Sequence, residues 1–255
     1  MASTLAPLPS PATPGADNLS FASNGFTAEA RAEEATAKSV TNTLRNNNSG
    51  SGGDDSRLDG HPRFIPTSPY PDHLLDLATL DPQTRLLARA LAVFDKTRDD
   101  YATAPYQASF NFPAVIAELR RLAAQAPEAP EVAPTAPTAQ QRWTRADYFV
   151  VAFRSQVPPT TDYADLSSLD RASHREANDS GGLLRYWFAD PDADGRNLAT
   201  CLWRSPADAR AAGRGTVHRS ASSAVRSLYR EWRIERYRLV IDDGIESWKV
   251  IDWVD

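Results

Sequence analysis

From Tyr148 to Phe153 the chain reads YFVVAF, an unbroken apolar run rich in aromatic and β-branched residues, which predicts a buried strand. Leu183 to Phe188 (LLRYWF) and Leu198 to Trp203 (LATCLW) predict two more strands, joined by a turn-rich loop as a hairpin. Before that hairpin, Leu166, Leu169, Ala172 and Ala177 recur among polar residues, so a helix is expected from about Ser167 to Ser180, ended by Gly181-Gly182. Ser205-Pro206-Ala207-Asp208 opens a second helix, with serine as cap and proline in the first turn. Gly213 and Gly215 interrupt it before a further helical segment from His218 to Trp232. Arg236 to Ile241 and Trp248 to Val254 complete the pattern as strands flanking the turn sequence Asp242-Asp243-Gly244. The order β-α-β-β-α-β-β predicts an α+β fold with a ferredoxin-like core, one sheet carrying helices on a single face.

Upstream of this core, helical spacing begins at Pro71, with Leu74, Leu75, Leu77 and Leu80 first and Leu86, Leu87, Ala90, Leu91 and Phe94 next. Asp81-Pro82 is a helix start, and Phe112-Pro113 opens a second helix carrying Val115, Ile116, Leu119 and Leu122. Two amphipathic helices cannot enclose a core, so this extension, residues 62–125, is expected to dock on the domain formed by residues 143–255. Between them, residues 126–142 form an Ala/Pro linker that begins APEAPEVAPTAPTAQ. Residues 1–61 hold scattered prolines, the run Asn46-Asn47-Asn48-Ser49-Gly50-Ser51-Gly52-Gly53 and few large apolar side chains, which predicts a disordered tail.

Composition narrows the partners. Of 255 residues, 24% are charged, with a net charge of −5, and the basic residues are interleaved with acids, which argues against a nucleic-acid partner. No apolar run is long enough to span a membrane. Cys201 is the sole cysteine, which excludes an intrachain disulfide and a cysteine-built metal centre, and the expected compartment is the cytoplasm, with the nucleus as a second. Asp190, Asp192, Asp194 and Gly195 spell the first half of a calcium loop, but its twelfth position holds Cys201 where glutamate is needed, so a solvated hairpin loop and no metal site are expected. All six tryptophans fall between Trp143 and Trp253, which places the main core there.

His218 follows Gly215-Thr216-Val217 at the expected helix break, where a pocket can open and an imidazole can bind a ligand carboxylate, act as a base or coordinate iron. Satisfying the broken turn is its plain structural use. His174 has Asp170 one turn before it and Asn178 one turn after, so a carboxylate could orient the imidazole; helix decoration is the simpler reading. Tyr186, Trp187 and Trp203 on the central strands are the candidate aromatic walls. Arg185 and Trp187 share one face of their strand, opposite Leu184, Tyr186 and Phe188, and Arg236 and Arg238 repeat the pattern opposite Tyr237 and Leu239. A helix-free face of this kind needs a cover, and a homodimer burying on the order of 1,200 Å² or more is the simplest one.

Three stretches, SFNFPAVIAELRRLA (109–123), HREANDSGGLLRYWF (174–188) and NLATCLWRSPADARAAGRGTVHRSA (197–221), resemble an uncharacterised family of fungal proteins from about Pro66 to the carboxyl terminus. That resemblance implies no activity. The core, with a tryptophan on the third strand before a helix carrying a Gly-x-x-His turn, is similar to the dimeric α+β barrel superfamily, which includes antibiotic-biosynthesis-type monooxygenases and haem-dependent relatives. No catalytic residue or cofactor follows from it. Two functions are therefore expected in competition: a homodimer binding a small apolar or aromatic molecule between helices and sheet, or a non-catalytic scaffolding domain. A cavity reached by His174 or His218 favours the first and a filled core the second. Brief proteolysis is expected to remove the first 60 or so residues and to nick the linker while sparing the carboxyl-terminal domain. Protection of residues 10–55 on a peptide map would contradict this.

Overall fold

The structure is a computed structural model that describes residues 56–58, 60–125, 143–161 and 163–254. The expected disordered tail lies outside the described residues as far as Asp55, and so does the whole linker. From Ser56 the chain is ordered earlier than expected: β1 (Arg57–Leu58) pairs with β2 (His61–Pro62), and β3 (Phe64–Pro66) pairs with β4 (Leu74–Asp76). Leu74 to Thr79, expected to be helical, is strand β4 followed by a 3-10 turn over Leu77–Thr79. The Asp76 side chain is the reason. It accepts from the Ala78 amide, capping that turn, while Arg63 grips it across the ladder at 2.7 Å.

Helix α1 (Pro82–Ala90) starts where Asp81 caps the Thr84 amide, with Pro82 in the first turn. The short α2 (Tyr106–Ser109) and the long α3 (Phe112–Gln125) complete the extension. The core then runs β5 (Ala146–Gln156), α4 (Tyr163–Asp179), β6 (Leu183–Trp187), β7 (Arg196–Trp203), α5 (Pro206–Ala212), α6 (Thr216–Leu228), β8 (Glu231–Ile241) and β9 (Trp248–Asp252). Its strands form one antiparallel sheet in the order β6-β7-β5-β8-β9, a ferredoxin-like arrangement with β9 added at the edge. Trp232, read as the end of a helix, belongs to strand β8, which starts five residues earlier than expected.

Each face of the sheet has its own core. Val150, Ala152, Leu198, Leu202, Tyr237 and Leu239 face the extension and are packed against Leu87, Leu91, Phe112, Val115, Ile116 and Leu119, all buried. Phe149, Val151, Leu183, Tyr186 and Trp203 face α4, α5 and α6. The extension therefore covers the face on which a homodimer contact was expected. Trp187 is 6% exposed, donates from Nε1 to Asp95 at 2.9 Å, and meets Tyr101 and Phe110 edge-on. Arg154 of β5 adds a polar tie, donating to the carbonyls of Ala102 and Ala104 and to Glu235.

Two details of the expected pairing are corrected. A bulge between Leu183 and Arg185 turns Leu184 to the same core as Trp187, so strict alternation fails there. Arg236 and Arg238 lie opposite Val151 and Phe149, on the helix side, and do not share a face with Trp187. Because Ile116 is fully buried between the extension and the sheet, Ile116→Ala is expected to cost about 2–5 kcal/mol in urea unfolding. A loss below about 1 kcal/mol would mean that the extension lies outside the cooperative core.

Candidate functional site

Between α4, α5, α6 and the sheet lies a cavity of about 600 Å³. Its apolar walls include Phe149, Val151 and Phe153 of β5, Leu183 and Tyr186 of β6, and Trp203 of β7. Trp232 and Ile234 of β8 line it while remaining 37% and 43% exposed, which puts its mouth at that end of the strand. Of the residues singled out in the sequence, His174, His218, Tyr186 and Trp203 meet at this cavity. Trp187 does not, because its strand position points it under the extension.

Local sequence places the helical walls. Ser205 caps α5 by accepting from the Asp208 amide, and Asp208 in turn sits against Gly182, where a β-carbon would lie 2.5 Å from the Asp208 carboxyl carbon. Gly182 also has φ +77°, so glycine is required there twice over. At the break between α5 and α6 the expected histidine role is taken by Glu176 of α4. Its carboxylate accepts from the amides of Val217 and His218 and so caps α6, and Gly215 leaves it the room. Those amides and the His218 ring hold the Glu176 carboxyl below the usual glutamate range. His218 Nδ1 stands 3.3 Å from Glu176 Oε2, with the ring part exposed.

The deepest polar cluster differs from the one expected. Asp170 does not bind His174; it accepts the hydroxyls of Tyr70 and Tyr186, each at 2.6 Å. Burial raises its carboxyl above the usual aspartate value, against the two tyrosine hydrogen bonds that favour the charged form. His174 Nδ1 instead faces Nδ1 of His73 at 2.5 Å, with the ring planes within 6° of each other. Both histidines are buried, at 4% and 2% exposure. Burial, then the neighbouring His73, pushes His174 down to about 3. Burial also lowers His73, with Asp72 opposing. Nε2 of His174 and Oγ of Ser173 are buried with no hydrogen-bond partner among the described residues. Asn178 turns away, bonding Thr67 and the Leu74 carbonyl.

Sequence reasoning missed Tyr70 and His73, which lie about a hundred residues before α4. The segment that carries them crosses the β6 edge, where the Tyr186 amide donates to the Thr67 carbonyl at 2.7 Å. Its only local signal is the composition PYPDH, residues 69–73, a proline-stiffened stretch in which a tyrosine and a histidine punctuate an otherwise leucine-spaced run. Cys201 also lines the cavity, and burial raises its thiol well above the ordinary value, so it stays protonated. Among the described residues no group of three or more His, Cys, Asp or Glu is placed to hold a metal ion, and no helix is long and apolar enough to cross a membrane.

His174 gives the site a pH signature. Its folded pKa, about 3, lies below the ordinary 6.5, so unfolding takes up a proton between those values. The associated stability is complete above about pH 6.5 and is lost as pH falls toward 3. Asp170 acts with the opposite sign, contributing stability at low pH that is lost as pH rises through its raised pKa. His174→Phe removes the first contribution. Between pH 7 and 5 the wild type is expected to lose roughly 2 kcal/mol more than this variant in urea unfolding. Equal losses would show that His174 titrates normally in the folded chain.

The chain is similar to several known proteins. Among solved structures, Rv0793 from Mycobacterium tuberculosis overlays 35% of this chain and 91% of its own, with a TM-score of 0.32 and 17% identity. SnoaB, a cofactor-independent oxygenase from Streptomyces nogalater, overlays 36% and 91%, with a TM-score of 0.31 and 17% identity. The UPF0643 protein PB2B2.08 of Schizosaccharomyces pombe is 38% identical over 195 residues, spanning 73% of this chain and 83% of the relative. The PB2B2.08-like family model matches residues 66–252, which takes in the extension from the last residue of β3 onward, the helices α4, α5 and α6 and every strand of the main sheet. The chain is a member of the PB2B2.08-like family.

Proposed function

We propose that this protein binds a small, largely apolar or aromatic molecule in the cavity between α4, α5, α6 and the sheet. The observation that carries the reading is an apolar cavity of ligand size whose wall includes His174 and Ser173, with His174 Nε2 and Ser173 Oγ buried behind that wall and unpartnered among the described residues. A buried polar group without a partner costs about 1–3 kcal/mol, and a ligand that supplies the partner recovers it on binding. The volume, about 600 Å³, falls within the range of roughly 300–1,000 Å³ typical of sites for small organic molecules. Aromatic walls from Phe149, Tyr186 and Trp203 favour a flat apolar body. Asp170, His174 and His218 are the groups that could hold or move a proton beside it.

The apolar walls and the polar groups named above all come from one chain, so the reading does not depend on a homodimer. The extension occupies the sheet face first expected to carry that contact. Scaffolding, the competing reading, called for a filled core on the helix side. The cavity there weighs against it.

The neutral fluorescent probe N-phenyl-1-naphthylamine is expected to bind with saturable, one-to-one stoichiometry. Ala209 of α5 lines the cavity, and Ala209→Trp is expected to weaken that binding at least tenfold while leaving the far-ultraviolet circular dichroism unchanged. Absence of saturable binding to the wild type, or equal binding to a folded Ala209→Trp variant, would refute the reading.

A further inference from the structure

The two facing histidines cannot carry a proton on both Nδ1 atoms in their neutral forms. One must donate and the other accept, so the tautomer of one ring fixes that of the other. If His73 donates from Nδ1, its Nε2 is a bare lone pair and His174 carries its proton on Nε2. If His174 donates, the arrangement reverses: His73 carries its proton on Nε2, and His174 Nε2 becomes the lone pair.

The surroundings favour the second arrangement. His73 Nε2 has no hydrogen-bond partner among the described residues, and Asp72 Oδ2, 3.9 Å away, is near enough for its negative charge to favour a proton on that nitrogen. Arg175 and Arg171 both bond Asp72 and hold it in place; their charge opposes that of Asp72 at His73, each with a smaller effect than the carboxylate. Burial raises the Asp72 carboxyl, but the Arg175 hydrogen bond, His73 and Arg171 outweigh that, and it remains ionised. The other groups near the pair are Asp179, His218 and the rings of Tyr70 and Tyr186. Both tyrosine hydroxyls are committed to Asp170, so neither competes for an imidazole nitrogen.

We infer that Asp72 and His73 act as positioning residues that set the tautomer of His174, so that His174 Nε2, buried behind the cavity wall, is a hydrogen-bond acceptor that a ligand's donor reaches when that wall yields. The cavity's ligand is then an aromatic or apolar molecule bearing a hydroxyl or N–H donor, a phenol in the simplest case. This deepens the proposed binding function and rests on it for the ligand, whereas the tautomer assignment stands on the histidine pair alone. The extension supplies Asp72 and His73, and α4 supplies His174, so the docking that seals the far face of the sheet also tunes this one.

Two measurements on the full chain separate the two parts. Long-range proton–nitrogen spectra of histidine-labelled protein are expected to show His73 protonated on Nε2 and His174 protonated on Nδ1. The opposite assignment overturns the inference whatever binds. In Asp72→Asn the bias is expected to fall, with the resonances shifting toward a tautomer mixture; an unchanged spectrum removes Asp72 from the relay and overturns its part.

The second measurement uses 2-naphthol and 2-methoxynaphthalene, which have similar aromatic bodies but only one donor between them. The wild type is expected to prefer 2-naphthol about tenfold, the discrimination one hydrogen bond of ordinary net strength supplies. In His174→Phe that ratio should fall to near one, with 2-methoxynaphthalene still bound. A ratio near one in the wild type, or a tenfold preference that survives in His174→Phe, places the acceptor elsewhere and overturns the inference while the cavity reading stands. If neither probe binds, the cavity reading fails for this ligand class, and the tautomer spectra decide the relay on their own.

Discussion

A single sheet with apolar side chains on both faces has to be covered twice, and the rest of this structure follows from how one chain does so. On β5 the residues alternate between Tyr148, Val150 and Ala152 on one side and Phe149, Val151 and Phe153 on the other, and all but Phe153 are buried. The core's own helices, α4 to α6, can lie on only one face, as the connections of a split βαβ arrangement require. The other face is closed by the extension, whose aromatic layer of Phe94, Tyr106, Phe110 and Phe112 packs down on Tyr237, Trp187 and Trp248. Apolar burial on this scale makes the extension part of the fold and leaves no room on that face for a second sheet.

The cover does more than seal. Residues 67–73 run over the β6 edge, so that one segment packs Leu75 and Leu77 into the far core and delivers Tyr70 and His73 to the helix side. Tyr70 reaches Asp170 there, and His73 reaches His174. Neither α4 residue would otherwise have those partners. A carboxylate accepting two tyrosine hydroxyls, beside a neutral histidine pair, is a polar cluster in a dry setting; among the described residues the Nε2 atoms of both histidines are left without a partner, and of the two rings only His174 lines the cavity.

Much of the core was legible because its signals are local. Apolar alternation marks β5, the Gly181-Gly182 pair ends α4, and Ser205-Pro206 starts α5, each within a few residues of the boundary in the structure. Four of the five aromatic and histidine candidates converge on one cavity because strand parity and the helix break both point that way. The failures share a cause in contacts that are distant in sequence. Leu74 to Leu80 has leucine spacing compatible with a helix, yet Arg63 and Asp76 fix it as a strand and turn. Asp170 sits one turn from His174 as the pattern requires, but tyrosines from two other elements claim its oxygens first. Trp187 was placed by parity on an open face, and nothing near it in the sequence reveals that the extension closes that face.

The two sides of the sheet differ in kind: on one the extension packs an apolar core, with an open polar groove among Ala102, Thr103, Arg154 and Arg233 at its margin, and the other is built around a ligand-sized apolar cavity. Xenon enters apolar cavities that have room for it and leaves packed cores alone. Crystals of the full chain under xenon pressure should therefore show bound xenon among Val151, Leu183 and Trp203, on the helix side, and none between the extension and the sheet. Xenon beneath the extension, or a helix side that takes up none, would contradict the account.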